Sequence, residues 1–292
     1  MNRSNARERS VPNTAAASSR REQVLRRLDW TFPAAPVDRE LIEVLPEEPD
    51  PAKPPLLFVH GAWHGAWCWQ EHWMTAAAAH GWRTYAVSLR GHGNSARPGR
   101  FTLASLRHYQ HDVLQAITQL PAPPVLIGHS MGGVVVQGVL ERYRSAPAGV
   151  LVASVPPRHG LGVVPSLARH DPRMLAQALT GREVTPRPST FYGPMMDPLD
   201  ARRHLDRLGG EAWLATQQVV LPRRVPDVRA PLLVLGGECD RLVSPHAVVR
   251  TARTYGTRAR LFRGMGHLLM LEPDWKAVLD AMLGWLEDTV VR

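Results

Sequence analysis

Short, mainly apolar runs alternate along this chain with longer segments whose apolar residues recur at helical spacing. Residues 56–59 (Leu56, Leu57, Phe58, Val59) form one such run, and residues 125–127, 149–154 and 231–235 form others. Apolar runs of that length, with no alternating polar face, predict strands covered on both sides. Residues 39–45 alternate instead and predict an earlier strand, while residues 82–89 and 258–262 predict two more. Helical spacing is clearest over residues 103–120, where Leu106, Tyr109, Val113, Ala116, Ile117 and Leu120 recur before Pro121 stops the helix. Further helices are predicted after the Gly-rich turn at 128–133, running to about residue 143, and over 273–286. The Pro-rich run 46–55 can be neither helix nor central strand, so it is a connection.

From residue 156 to 226 the pattern changes: the stretch is rich in Pro, Arg and Met, with short helical pieces at 166–169, 173–180, 201–208 and 211–220. Residues 1–28 are polar and Arg-rich, which predicts a basic, flexible N-terminal segment with at most a short helix at 22–28. The body then divides into a core, residues 29–155 and 227–292, and an insertion, residues 156–226.

The 292 residues suffice for one large α/β domain with an insertion, or for two small domains. No apolar run approaches the roughly 20 residues that cross a bilayer, so no membrane span is expected. The N-terminus has no apolar stretch of a secretory signal, and the charges after Arg20 and Arg21 do not suit a twin-arginine signal, so the expected compartment is the cytoplasm. Net charge is +9, but residues 1–27 hold +5 of it, leaving +4 for the rest. A mildly basic body without aromatic-interleaved basic stretches is no nucleic-acid groove, and no nucleic-acid partner is expected. Cys68 and Cys239 offer neither a disulfide framework nor a zinc spacing and predict buried thiols. No metal and no organic cofactor is expected, and the oligomeric state is left open.

The candidate chemistry lies at Gly128-His129-Ser130-Met131-Gly132, between the apolar run 125–127 and a helix that opens with small residues. Gly128 and Gly132 stand where a Cβ would collide with neighbouring backbone, which lets Ser130 occupy a strained turn with its hydroxyl presented. Strand, Gly-x-Ser-x-Gly turn and helix together resemble the nucleophile elbow of the α/β-hydrolase superfamily. The run 56–59 ends in His60-Gly61-Ala62-Trp63-His64-Gly65-Ala66-Trp67-Cys68-Trp69, which resembles the oxyanion loop of that superfamily's small-ester hydrolase and hydroxynitrile lyase branch. The run 231–235 leads to Asp240, and Gly264-Met265-Gly266 leads to His267, so Ser130, Asp240 and His267 follow in the superfamily's order.

The resemblance implies an α/β-hydrolase fold: a mostly parallel central sheet flanked by helices, with a helical lid inserted after the sixth strand. It implies a triad in which His267 takes the Ser130 proton and Asp240 orients the imidazole. The backbone N–H groups of Ala62 and Met131 would form the oxyanion hole, supported by His60, Gly61, Gly128 and Gly132, with Gly61 letting the backbone approach the substrate. His92, in the loop 90–95, has no acid near it in sequence and is expected to shape its loop by hydrogen bonding. Trp67, Trp69 and Trp73 are expected in the core. Trp63, His129, Tyr192, Met195 and Met196 are candidate walls of a substrate pocket, the last three equally suited to a small core within the lid.

Ser130 separates the chain from epoxide hydrolases and haloalkane dehalogenases, which resemble it but use an aspartate at the elbow. Gly61 and Leu268 stand where hydroxynitrile lyases of the related branch have Thr and Lys. Haloperoxidases, carbon–carbon bond hydrolases, thioesterases and lactonases share the triad and stay open. The expected activity is hydrolysis of a carboxylic ester, lactone or thioester, with a small-molecule acyl substrate as the partner. A slow or non-catalytic ligand-binding protein on the same scaffold is the alternative.

Overall fold

In a computed structural model of the protein, which describes residues 36–158 and 160–291, seven strands form one sheet. They are β1 (Leu41–Val44), β2 (Leu56–Val59), β3 (Thr84–Val87), β4 (Val125–His129), β5 (Gly149–Val152), β6 (Leu232–Gly237) and β7 (Ala259–Phe262). Their order is β1-β3-β2-β4-β5-β6-β7. β1 runs antiparallel to β3 at the edge, and the other pairs are parallel. Leu56, Leu57, Phe58 and Val59 are fully buried, as a central strand covered on both faces requires. The alternating run became the half-exposed edge β1. The basic N-terminal segment and the helix expected at 22–28 lie outside the described residues.

Helices α1 (Trp67–Gln70), α2 (Trp73–Ala79), α3 (Leu106–Ile117) and α4 (Met131–Arg142) occupy the connections between the first five strands. Trp69 and Trp73 are fully buried and close on Phe58, with ring centroids 5.0 and 6.4 Å away. α3 starts later than its spacing suggests because Ser105 caps it: His108 Nδ1 accepts from the Ser105 amide (3.1 Å) while the Ser105 hydroxyl accepts from the His108 amide (3.4 Å). Residues 101–103 form a separate 3₁₀ turn before that cap.

Between β5 and β6 the chain adds α5 (Val163–His170), α6 (Pro172–Thr180), α7 (Pro188–Phe191), α8 (Pro198–Leu205) and α9 (Trp213–Val220) and, among the described residues, no strand. These helices stay short because caps and prolines recur. Asp171 accepts from the Met174 amide, Asp197 accepts from the Leu199 amide, and Pro172 and Pro198 open the helices that follow. The insertion thus follows the fifth strand of the sheet, where the sixth was expected. Only one strand precedes β2 among the described residues, since the prolines of residues 46–55 have no amide proton for a second ladder. The chain closes with α10 (Pro245–Thr254) after β6 and α11 (Trp275–Leu286) after β7.

β2 is followed by β3 on one side, and the chain then returns to β4 on the other. In an open α/β sheet the crevice at such a reversal, beyond the carboxyl ends of the strands, is where ligands bind. Here the segments leaving those ends are His60-Gly61-Ala62 and Ser130-Met131, so the topology alone brings the two glycine-bearing loops to one place.

Candidate active site

Ser130 sits on the sharp turn between β4 and α4 with φ 51° and ψ −115°, a left-handed backbone that a serine adopts only under constraint. The constraint is visible: its amide donates to the Val152 carbonyl on β5 (2.9 Å), and the elbow is packed without room for side chains. A Cβ on Gly128 would lie 2.5 Å from the Gly132 oxygen, and one on Gly132 would run into the carbonyl oxygens of His60 and Val59. Both glycines are therefore required by close approach, as expected from sequence.

The segment 60–64, expected to form the oxyanion loop, is held by its histidines. The Leu89 amide donates to His60 Nε2 (3.0 Å), so the ring proton lies on Nδ1 and is donated to the Gly61 carbonyl (2.7 Å). A peptide unit is planar and trans, so fixing the Gly61 oxygen also fixes the opposed direction of the Ala62 N–H. His64 Nδ1 donates in the same way to the Ala62 carbonyl (2.8 Å). Burial keeps His60 neutral, well below the ordinary histidine range, and pushes His64 down to about 4. Among the described residues neither the Ala62 nor the Met131 amide has an acceptor within the protein. Met131 is also the first residue of the 12-residue helix α4, where unpaired amides and the helix dipole favour negative charge. Gly61 proves necessary for a reason other than substrate approach: a Cβ there would lie 2.6 Å from His129 Nδ1.

Asp240 follows β6 and is buried. Its Oδ1 accepts from the amides of Leu242 and Val243, both at 2.8 Å, leaving Oδ2 to accept from His267 Nδ1 at 2.8 Å. Glu238, two residues earlier, is exposed. His267 is fixed through its backbone as well. Its amide donates to the Phe191 carbonyl (2.7 Å), and its own carbonyl accepts from His129 Nε2 (3.0 Å). His129 thus ties the elbow to the His267 loop, with ring centroids 4.6 Å apart. Among the described residues no hydrogen bond joins Ser130 to His267; such contacts commonly stay long until substrate binds.

Above Ser130 opens a cleft of ≈ 660 Å³, its mouth included. Ala62, Trp63 and Met131 line it beside Ser130, and the opposite wall comes from Leu167 of α5, Leu175 of α6 and Val219 of α9, among others. Of the candidate pocket residues, Trp63 lines this cleft and the other four do not. His129 is buried beneath the elbow, where burial keeps it neutral. Tyr192 turns away, its hydroxyl 3.2 Å from His204 Nδ1. Met195 is 74 % exposed, and Met196 lies with Tyr192 in a separate surface depression. From the apolar stretch they belong to, the Phe191 ring stacks on His267, with centroids 6.0 Å apart. Phe191 opens the stretch 191–196 considered as a pocket wall, but sequence reasoning missed its stacking on His267 and the walls from α5, α6 and α9, whose short apolar faces gave no signal of what they cover. It also missed the acid partner of His92, which is Glu211, 3.1 Å away and 119 residues later in the chain. Cys68 is buried as expected, while Cys239 is only half-buried at the start of the Asp240 turn. Among the described residues no group of three or more His, Cys, Asp or Glu side chains is arranged to hold a metal ion, and no helix is long and apolar enough to cross a membrane.

Residues 56–281 match the profile of the Alpha/beta hydrolase family. The chain is similar to a monoacylglycerol lipase of Mycolicibacterium smegmatis, 26% identical over 71% of this chain and 79% of that protein. It is also similar to the esterase PIR7B of Oryza sativa subsp. japonica, 35% identical over 36% of this chain and 40% of the rice protein. Among solved structures, a thermophilic esterase from Thermogutta terrifontis superposes with a TM-score of 0.67 at 20% identity, over 88% of this chain and 96% of that one. At that identity the superposition bears on the fold, and it is the fold described above. The family profile spans the sheet from β2 through the elbow, the Asp240 turn and His267 into α11. The chain belongs to the α/β-hydrolase family and is an enzyme of that fold.

Proposed function

We propose that this enzyme hydrolyses a carboxylic ester, lactone or thioester through an acyl-serine intermediate. The observation that carries the proposal is the Asp240–His267 hydrogen bond at 2.8 Å, in a loop that His129 ties to the turn of Ser130, a serine held in a left-handed conformation and lining an apolar cleft. Ester-cleaving relatives support it further. Ser130 Oγ attacks the carbonyl carbon as His267 Nε2 takes its proton, and Asp240 stabilises the imidazolium through Nδ1–H. The carbonyl oxygen becomes an oxyanion facing the Ala62 and Met131 amides, each worth a few kcal/mol to the transition state. His267 returns the proton to the departing alcohol or thiol. A water, deprotonated by the same imidazole, then cleaves the acyl-serine.

The substrate's acyl part is apolar, matching the aliphatic walls of the cleft, and residues 156–226 serve as the lid that supplies most of them. The test is a chain-length series of p-nitrophenyl esters and matching thioesters with wild type beside Ser130→Ala. The variant is expected to keep its circular dichroism spectrum and lose at least about 10³-fold in kcat. A Ser130→Ala variant with undiminished turnover overturns the acyl-serine mechanism.

A further inference from the structure

One buried carboxylate, Glu211, gathers four donors from four places in the chain. Its Oε2 accepts from the Trp63 amide (3.2 Å) and from His92 Nε2 (3.1 Å). Its Oε1 accepts from the Tyr109 hydroxyl (2.5 Å) and the Ala212 amide (2.7 Å). Its side chain is 3 % exposed and that of His92 is not exposed at all. Two residues earlier in the same segment, the Gly209 amide donates to the Trp63 carbonyl (2.8 Å). Trp63 therefore has both its N–H and its C=O bound by residues 209–211 of the insertion.

Trp63 needs such restraint. Its φ is 65°, a left-handed conformation that costs a bulky residue on the order of 1 kcal/mol or more. The peptide unit between Ala62 and Trp63 is held at its oxygen by His64 and at its nitrogen by Glu211. Release of the nitrogen end lets Trp63 relax toward the extended region and turns the Ala62 backbone with it. His92 removes the electrostatic objection to a carboxylate in this place. Both its ring nitrogens face acceptors, the Arg90 carbonyl (3.1 Å) and Glu211, so the ring carries two protons and a positive charge. Burial opposes that charge, yet the Glu211 carboxylate outweighs burial and holds His92 above its ordinary value; His92 in turn keeps Glu211 below its own. The pair places no net charge beside the oxyanion.

Resting on the acyl-serine reading above, we propose that Glu211 is a positioning residue: from the insertion it fixes the Trp63 backbone, and through it aims the Ala62 N–H at the developing oxyanion. It touches neither substrate nor reacting atoms. The cleft wall and the oxyanion hole are thereby one construction, assembled only when residues 209–211 are seated.

The test compares Glu211→Ala and Glu211→Gln with wild type on a p-nitrophenyl ester, together with inhibition by a simple arylboronic acid, whose tetrahedral adduct with serine mimics the oxyanion. Glu211→Ala is expected to lower kcat about 10- to 100-fold, with KM within about threefold. The boronate inhibition constant should rise in parallel. Glu211→Gln, which keeps one acceptor oxygen for the Trp63 amide, should fall between the two. A folded Glu211→Ala enzyme with kcat and boronate affinity within about twofold of wild type overturns the proposal, as does a loss confined to thermal stability or to KM. Should Glu211→Ala not fold, Glu211→Gln and Tyr109→Phe decide by the same split between kcat and KM, and wild-type kcat in both overturns it. Ser130→Ala distinguishes the two levels: if that variant is inactive while the Glu211 variants match wild type, only the positioning role fails.

Discussion

Asp240→Asn is the most discriminating single substitution at this site, because the hydrogen bonds around the carboxylate dictate how the amide must sit. Oδ1 accepts two backbone amides, those of Leu242 and Val243, both at 2.8 Å. An asparagine keeps its oxygen there, since turning its NH₂ toward two N–H donors would leave both buried amides unpaired at about 1–3 kcal/mol each. The NH₂ group then occupies the Oδ2 position, 2.8 Å from His267 Nδ1. A donor facing that nitrogen forces Nδ1 to accept, and the imidazole proton moves to Nε2, the atom that in the proposed mechanism takes the Ser130 proton. The fold is undisturbed and the base is in the wrong tautomer. In serine proteases the equivalent change costs about 10⁴ in kcat, which corresponds to roughly 5.5 kcal/mol of transition-state stabilisation. The assay is steady-state hydrolysis of a p-nitrophenyl ester at neutral pH, with urea unfolding to show that stability has moved by less than about 1 kcal/mol. Asp240→Ala serves as contrast, since it strands both amides and should lose stability as well as activity. A folded Asp240→Asn enzyme within about tenfold of wild-type kcat would refute the tautomer argument and the orienting role with it.

Gly132→Ala should destabilise the protein by about 1–3 kcal/mol or more, because the new methyl meets the backbone oxygens of His60 and Val59, which cannot swing aside as a side chain would. An unfolding free energy within about 0.5 kcal/mol of wild type would show that β2 and α4 can separate at no cost. Stability should also fall on acidification. Burial depresses His60, His64 and His129, His64 to about 4, so the unfolded chain binds their protons first. A histidine with a lowered folded value stabilises fully above its unfolded value near 6.5 and loses that contribution as pH falls below it. Each contributes a slope of up to about 1.4 kcal/mol per pH unit, or roughly 4 for the three together. His92, shifted the other way, loses its contribution only as pH rises above that value and does not offset the acid limb. Thermal melts at pH 5, 6 and 7 check this, and a melting temperature that stays flat or rises toward pH 5 would contradict it.

The strand-end chemistry was legible because strand ends are set by local pattern. Apolar runs of three to six residues marked β2, β4, β5 and β6, and a polar or glycine residue just beyond most of them marked a place where backbone turns out of the sheet. Ser130 directly follows β4 and Asp240 follows β6 by three residues, whereas His267 lies beyond β7, whose run Ala259-Arg260-Leu261-Phe262 is interrupted by an arginine, and was marked by the glycines before it rather than by an apolar run. The burial of Trp69 and Trp73 followed from size and apolar character alone. The pocket did not follow. Residues 191–196 are the most apolar stretch of the insertion, yet the backbone does the work there. The Phe191 oxygen receives the His267 amide, the Gly193 amide reaches Glu272 at 2.7 Å, and Met195 points to solvent.

Contacts of this kind leave no trace in a pattern, because a carbonyl oxygen or an amide proton is present at nearly every position. Only the folded path of the insertion decides which of them meets a catalytic loop. Among the described residues, two such meetings reach the loops that carry His267 and Ala62, and they are independent in sequence. Residues 191–193 bind the His267 loop through Phe191 and through Glu272, whose Oε1 bridges the amides of Gly193 and Gly266, each at 2.7 Å. Residues 209–211 bind Trp63. The His267 loop and the loop carrying the Ala62 amide are thus held by the same inserted segment that walls the cleft. A graft that replaced residues 156–226 to change the acyl pocket would therefore disturb kcat along with specificity. It would spare catalysis only if it returned an acceptor to the Trp63 amide, a donor to the Trp63 carbonyl, and an acceptor to the His267 amide.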